Sequence, residues 1–400
     1  MSGCRILYLI ERPLDQRDYQ RLGVAFMVAR GNLVTVIDVG DLTSPDHHHD
    51  RSHYPKLADI TIHCARNRIE LAHLHDEAAR ADLVILFVGV SHFTPRNLAV
   101  HRFVARLGVP YLIQFSNAYP GWSRYNGQPG AWFQRLRDRI GRLGEIRLLE
   151  SLAARVPPHL AGVRAADFMV VGGKKCHGYG RLANGTTRYI NAHAMDYELY
   201  RQTIAEGVEN ENSAVFIDEF LPFHPDLAMM GTGAPMAAEP YFRCLRALFD
   251  RIEKELNIEV VVAACPRADY TDMPDVFGDR RVEYFATARL VAAARLVIAH
   301  RSTAINYAIL SRKPVLLTAT RETYRHTSQT PYFDGFRAAL EKPIQFFDDA
   351  QAVDLGDVFA VDDAVYDRYV EDYIKQPDSP EAPYWQIVAD AVNDSGITHV

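Results

Sequence analysis

Short apolar runs separated by stretches of helical periodicity recur along this chain, and the pattern restarts once past the midpoint. Residues 6–10, 33–39, 83–90, 110–115 and 168–171 are apolar at nearly every position, as strands covered on both faces must be. Strands of that kind alternating with helices build a parallel α/β sheet. The polar stretch 206–212 reads as a linker, after which 214–218, 260–264, 296–299 and 314–318 repeat the pattern. The helices between are amphipathic: over 240–256, Phe242, Leu245, Leu248, Phe249 and Ile252 fall on one face at 3.6-residue spacing.

A chain of 400 residues exceeds what one core holds, so the restart marks a second domain. The expected division is 1–205, 206–380 and a last helix within 381–400, after the Pro-rich stretch 377–383. With 48% hydrophobic and 24% charged residues the composition is that of a folded globular protein, not a disordered or collagen-like one. No window approaches 18 uncharged apolar residues, and the run at 6–10 is too short for a signal-peptide core, which predicts a cytoplasmic protein. Five scattered cysteines without a C-x-x-C pair encode neither a disulfide framework nor a structural zinc site. Charge is divided unevenly: residues 1–205 hold 26 Lys+Arg against 18 Asp+Glu, and the remainder holds 18 against 32. The basic half is expected to meet something anionic.

Ligands of open α/β sheets bind beyond the carboxyl ends of the strands, so the residues after each run carry the candidates. Glu11-Arg12-Pro13 follows the first run, and no G-x-G-x-x-G or G-x-x-x-x-G-K-S/T stands there or later. Dinucleotide and P-loop binding lose their main support. Gly172-Gly173-Lys174-Lys175 reads equally as an anion-binding turn or a solvated tip. In the second half, Asp218 and Glu219 end the first run, as a general base or nucleophile, or as a cap followed by a solvated acid. Cys265-Pro266-Arg267 ends the next, with a guanidinium suited to phosphate or carboxylate. Cys265 itself reads as a small packed residue, since no His partner accompanies it.

The most informative segment is the run 296–299 leading into His300-Arg301-Ser302-Thr303 and a helix that carries Asn306. A hydroxyl pair at a helix start, beside His and Arg, has the composition of a phosphate site; the plainer reading is an N-cap. His47, His48, His49 and His53 with Asp46 and Asp50 are metal-ligand types without enforced spacing, and read as a solvated loop. His193 reads as a structural histidine near Asp196. Residues 122–164 carry eight Arg against three acids, with apolar residues near helical spacing, which suits either an anionic membrane surface or a packed helix with a solvated face. No nucleic-acid-binding module is legible.

Taken in order, the acidic pair, the x-Pro and the Ser-Thr pair resemble the motifs of bacterial CMP-sugar transferases that use sialic acid or Kdo, including the retaining β-Kdo transferases of capsule and lipopolysaccharide assembly. The resemblance implies a GT-B-like α/β fold: two Rossmann-like domains facing a central cleft, with the last helix returning to the first domain. By the same resemblance, Asp218 with Glu219 supplies the catalytic carboxylate, Cys265-Pro266 stands where a His-Pro pair would contact CMP, and Ser302-Thr303 holds its phosphate. Arg267, His300, Arg301 and Asn306 complete the expected nucleotide-binding set. Two departures stand out: Cys265 replaces the family's His, and Phe220 follows Glu219 where the sialyltransferase form has Gly.

The expectation is a metal-independent glycosyltransferase needing no cofactor beyond its CMP-sugar donor, Kdo or a related nonulosonate. Its acceptor would be an oligosaccharide or lipid-linked glycan, and it would sit peripherally on the inner membrane through residues 122–164. Rival readings are a UDP- or GDP-hexose transferase, a sugar-nucleotide epimerase and a non-catalytic glycan-binding scaffold.

Overall fold

The computed structural model describes residues 3–45, 51, 60–121, 157–177, 181–224, 234–326, 329–398 and 400. The histidines at 47–49 and 53, and most of the Arg-rich segment (122–156), lie outside them. The described residues form two compact units. Unit 1 takes those up to Ser116, from 157 to Met195, and from Gln376 onward; unit 2 takes 117–121 and Asp196–Lys375.

Unit 1 is a seven-stranded sheet of β1 (Arg5–Ile10), β2 (Leu33–Asp38), β3 (Ile60–Cys64), β4 (Leu83–Phe87), β5 (Tyr111–Phe115), β6 (Phe168–Val171) and β7 (Arg188–Asn191). Its order is β3-β2-β1-β4-β5-β6-β7, with every pairing parallel. Unit 2 holds β8 (Ser213–Ile217), β9 (Glu259–Ala264), β10 (Val282–Tyr284), β11 (Leu296–Ala299), β12 (Val315–Ala319) and β13 (Gln345–Phe346). They line up as β10-β9-β8-β11-β12-β13, again all parallel. Each sheet runs outward from its first strand and then restarts on that strand's other side. The reversal opens a crevice between β1 and β4 in unit 1, and between β8 and β11 in unit 2.

The central strands are Val, Ile, Leu and Phe because helices cover both of their faces; β4, β6, β8, β11 and β12 are buried at every position. In unit 2 the helix Ala238–Leu256 inserts Tyr241, Phe242, Leu245, Leu248, Phe249 and Ile252 into the core, and Asn257, in the left-handed conformation (φ 52°), ends it. Each of these fully buried aliphatic or aromatic side chains contributes about 1.5–3 kcal/mol of burial.

The last helix, Tyr384–Asp394, belongs to unit 1. Trp385 donates from Nε1 to the Arg21 carbonyl (3.0 Å) and lies 5.7 Å from the Phe87 ring. Its indole covers Gly23 (φ 76°), where a Cβ would stand 2.2 Å from the ring, so that position requires glycine for both its backbone and its space. His193 is buried, its Nε2 3.2 Å from the Ala382 carbonyl, as expected for a structural histidine. Unit 2 begins earlier than the polar stretch 206–212. The chain crosses at Met195/Asp196, because the Asp196 carboxylate accepts from Asn306 Nδ2 (2.9 Å) and ties the helix Met195–Glu206 to unit 2. It crosses back at Lys375/Gln376. Among the described residues no helix is long and apolar enough to span a membrane.

Candidate active site

At the crevice of unit 2, β8 ends in Asp218-Glu219-Phe220. Asp218 Oδ1 accepts from the Phe220 amide (2.8 Å), closing a turn that forces Phe220 to φ 50°. This is the position where the sequence departs from the sialyltransferase form, which is expected to have glycine. An L-residue there costs on the order of 1 kcal/mol, and edge-on packing against Tyr270 (5.2 Å) holds Phe220 in place. Asp218 Oδ2 accepts from the Cys265 amide (3.0 Å) and the Tyr270 hydroxyl (2.9 Å). One carboxylate, 5% exposed, thus ties together the ends of β8 and β9 and a tyrosine beyond them. Three of its roughly four acceptor directions are taken. Burial pushes its pKa up to about 6 against the pull of those three donors.

Glu219 reaches in the other direction. Its Oε1 accepts from the Arg301 amide (2.7 Å), and Oε2 lies 3.7 Å from Arg301 Nη1. The Arg301 guanidinium stacks on the Tyr332 ring at 5.7 Å. The Tyr119 hydroxyl donates to the Arg301 carbonyl and receives a bond from Nη1. Burial works against the arginine's charge, but the Glu219 carboxylate and Tyr119 oxygen outweigh it and hold the guanidinium above its ordinary value. Arg301 Nε is buried without a partner.

His300 takes a place different from the one expected. It is 1% exposed, with Nε2 2.8 Å from the Tyr241 hydroxyl and Nδ1 2.8 Å from the Thr318 carbonyl. Stacking on Phe347 (9° between planes) completes its enclosure. Both nitrogens are used internally, and burial lowers its pKa, so it stays neutral. Asn306 is likewise committed, donating to Asp196 and accepting from Tyr369 (3.0 Å). Neither side chain is free to hold a ligand.

Ser302 and Thr303 do not cap the next helix. That helix is Ile305–Leu310, and its N-cap, Ala304, has no side-chain bond; Ser302 Oγ accepts from the Ala304 amide (3.2 Å) in a turn ahead of it. The amides of Ser302 and Thr303 and the Thr303 hydroxyl bond to nothing among the described residues. Both residues are partly exposed. Cys265 and Pro266 are partly buried and Arg267 is exposed. Burial raises the Cys265 thiol, which leaves it protonated and a poor nucleophile.

The crevice of unit 1 carries an acid just after β1. Glu11 is partly buried, and its carboxylate fills the space where a side chain at 89 would stand: a Cβ on Gly89 would lie 1.4 Å from Oε2. Oε1 accepts a long bond from Ser44 Oγ (3.4 Å), and no donor reaches Oε2 among the described residues. Glu11 stands at a strand end, as Asp218 does, and carries the same sequence signal. Tyr119, Tyr241 and Tyr270 carry none.

No protein-family model and no curated protein sequence matches the chain. Among solved structures it is similar to CalG4, the calicheamicin glycosyltransferase, at 14% identity over 98% of each chain with a TM-score of 0.54. It is also similar to a protein from Listeria monocytogenes assigned as a UDP-N-acetylglucosamine 2-epimerase, at 12% identity over 100% of this chain and 98% of that one, with a TM-score of 0.51. Likeness at this level of identity speaks to architecture alone, and the two parallel sheets agree with it: the chain has the GT-B fold.

Proposed function

We propose that the chain is a glycosyltransferase that moves a sugar from a nucleotide donor to a hydroxyl of a glycan acceptor. The observation that carries this reading is the loop 301–303: two amides and a hydroxyl without acceptors among the described residues, beside a guanidinium fixed by Glu219, have the chemistry of a phosphate cradle. The six-residue helix beyond is too short to hold a phosphate by its own dipole, so the loop's donors must do so. In the reaction, the acceptor oxygen attacks the anomeric carbon as the bond to the phosphate oxygen breaks. The nucleotide leaves with the electron pair, and its growing negative charge is met by the cradle.

A carboxylate must take the acceptor's proton. Asp218 is the group expected from the sequence, but its bonds to Phe220, Cys265 and Tyr270 suit it to holding the cradle's frame. Glu11 is a strand-end carboxylate with an oxygen, Oε2, that no donor meets among the described residues, and it has the chemistry that role asks for. Direct displacement of this kind inverts the anomeric centre, whereas the β-Kdo transferases that the motif order resembles retain it through an enzyme nucleophile; the stereochemistry of the product separates the two routes.

For the donor, the order of the acidic pair, Cys-Pro and Ser-Thr supports CMP carrying Kdo or a related nonulosonate. One phosphate meets one cradle, and arginine and amides supply the positive charge without a metal; activity that survives EDTA is the expected result. The acceptor is proposed to be an oligosaccharide or lipid-linked glycan of the bacterial surface. A second reading, UDP-sugar chemistry, is favoured by the name of the Listeria structure; an epimerase would convert its donor with no acceptor present.

Thermal unfolding with CMP, UDP, GDP and ADP in parallel tests the reading, since a ligand at 100 times its Kd adds about 2.7 kcal/mol to the folded state. A shift with CMP alone is expected. A shift with UDP moves the donor to the second reading, and no shift with any nucleotide overturns the cradle and favours a non-catalytic scaffold. Replacing Thr303 by Val should weaken nucleotide binding by roughly fivefold, at about 1 kcal/mol for one neutral hydrogen bond.

A further inference from the structure

We propose that unit 1 carries a docking site for an anionic membrane surface, in the groove between the helices Arg68–His73 and Leu98–Leu107. The groove encloses about 230 Å³ over a floor that includes Leu71, Ala72, Ala99 and Phe103, and Arg68, Arg102 and Arg106 stand along it. Past Arg102 and Arg106 it continues into a shallower depression bounded by Leu160 to Gly162.

The charge around the groove selects the sign of the partner. Arg102 donates from Nε to the Ala161 carbonyl (2.8 Å) and Arg106 to the Arg102 carbonyl (3.2 Å), so both are held in place by neutral groups. None of the three guanidiniums meets a carboxylate among the described residues. Some arginines elsewhere are paired, as Arg251 is with Glu255 and Arg280 with Asp250 and Glu253, and others, such as Arg30 and Arg188, bond to neutral groups; what marks this groove is three guanidiniums gathered on one apolar floor. Three exposed arginines around one apolar floor, with no carboxylate partner among the described residues, select an anionic partner.

Apolar exposure beside those arginines identifies its kind. Leu160, 71% exposed, lines the depression, and Ile69, 69% exposed, adjoins Arg68. They are among the most exposed large apolar side chains of the described residues. A nucleic acid would satisfy the arginines and give Leu160 and Ile69 no apolar medium, whereas a phospholipid surface offers phosphates to the first and acyl chains to the second. The platform is also rigid. Asn67 caps the first helix through the Ile69 and Glu70 amides (both 3.0 Å), Asn67 Nδ2 donates to the Glu70 carboxylate (2.9 Å), and Gly108 in the left-handed conformation ends the second helix.

The proposal does not depend on the donor or the transfer reaction. Flotation with vesicles of phosphatidylethanolamine plus phosphatidylglycerol, against vesicles of phosphatidylcholine, tests it. The full chain should float with the anionic vesicles only, and salt should weaken the association. At about fivefold per guanidinium, Arg102→Gln with Arg106→Gln should weaken binding roughly twenty-fivefold. Leu160→Ser should weaken it without changing its salt dependence. Thermal unfolding of each variant, expected unchanged because these side chains are exposed, excludes misfolding as the cause. The proposal is overturned if the double variant floats like the parent, if neutral vesicles bind as well as anionic ones, or if no vesicle binds. Capture by soluble polyglutamate with no vesicle binding would also overturn it, in favour of an acidic protein partner.

Discussion

At the crevice of unit 2 the carboxylates of Asp218 and Glu219 are nearly saturated, one holding three donors and the other an arginine amide and its guanidinium. At the crevice of unit 1 the carboxylate of Glu11 holds one long bond from Ser44. Strand order around the two crevices is the same, so the difference originates in the residues just after each first strand. After β8 the chain turns back on itself through a left-handed Phe220, which brings the acid against the ends of β9 and β11. After β1 it runs on through Arg12 and Pro13, and the acid comes to rest against a glycine. Saturated acids make a rigid frame, and an unsaturated one is available for proton transfer. Position at a strand end marks both and distinguishes neither.

Three variants would break or sharpen this contrast. The largest effect is expected from Glu11→Gln, which should lower turnover by about 10²–10⁴, the usual contribution of a general base, with thermal stability and nucleotide-induced shift unchanged. Loss of stability without loss of turnover would make Glu11 another frame residue. Next, Arg301→Met leaves Glu219 buried without its cation. Removing one partner of a buried pair should cost about 3 kcal/mol, or roughly 6–12 °C in Tm; a Tm within a degree of the parent would show that the pair does not hold the crevice.

The smallest effect concerns Asp218, whose folded pKa of about 6 exceeds its ordinary value of 3.8. Between about pH 4 and 6 the folded chain keeps a proton that the unfolded chain has released. This contribution to stability is therefore fully present below pH 4 and falls as pH rises, by up to about 3 kcal/mol. Denaturant titrations should show the cost of Asp218→Asn shrinking from pH 4 to pH 7. A pH-independent cost would mean that the three donors keep Asp218 ionised throughout.

Nine of the thirteen strands are legible as apolar runs, and the four that are not are β3, β7, β10 and β13. These are the outer strands of the two sheets. An outer strand has a neighbour on one side only and half-exposed faces, so nothing forces it to be continuously apolar, and Arg188-Tyr189-Ile190-Asn191 of β7 shows the result. The run at 83–90 also overshoots its strand, since β4 stops at Phe87 and the apolar residues after it form a tight turn.

The site is legible where its chemistry is local. Asp218, Glu219, Arg301, Ser302 and Thr303 declare themselves by type and by position at strand ends. The fate of His300 does not, because it is decided by Tyr241, Phe216, Thr318 and Phe347, which come from four separate segments. Tyr119 is 182 residues from Arg301, a partnership no spacing rule connects.

The placement of the helix Tyr384–Asp394 in unit 1 has a consequence for biosynthesis. All seven strands of unit 1 are translated before any of Asp196–Lys375, yet the indole that covers Gly23 and packs near Phe87 emerges only after that whole stretch. At roughly 5–20 residues per second the nascent sheet waits about 10–40 s with an apolar face uncovered. During vectorial synthesis, then, the half of the protein that is made second is the half whose core closes first.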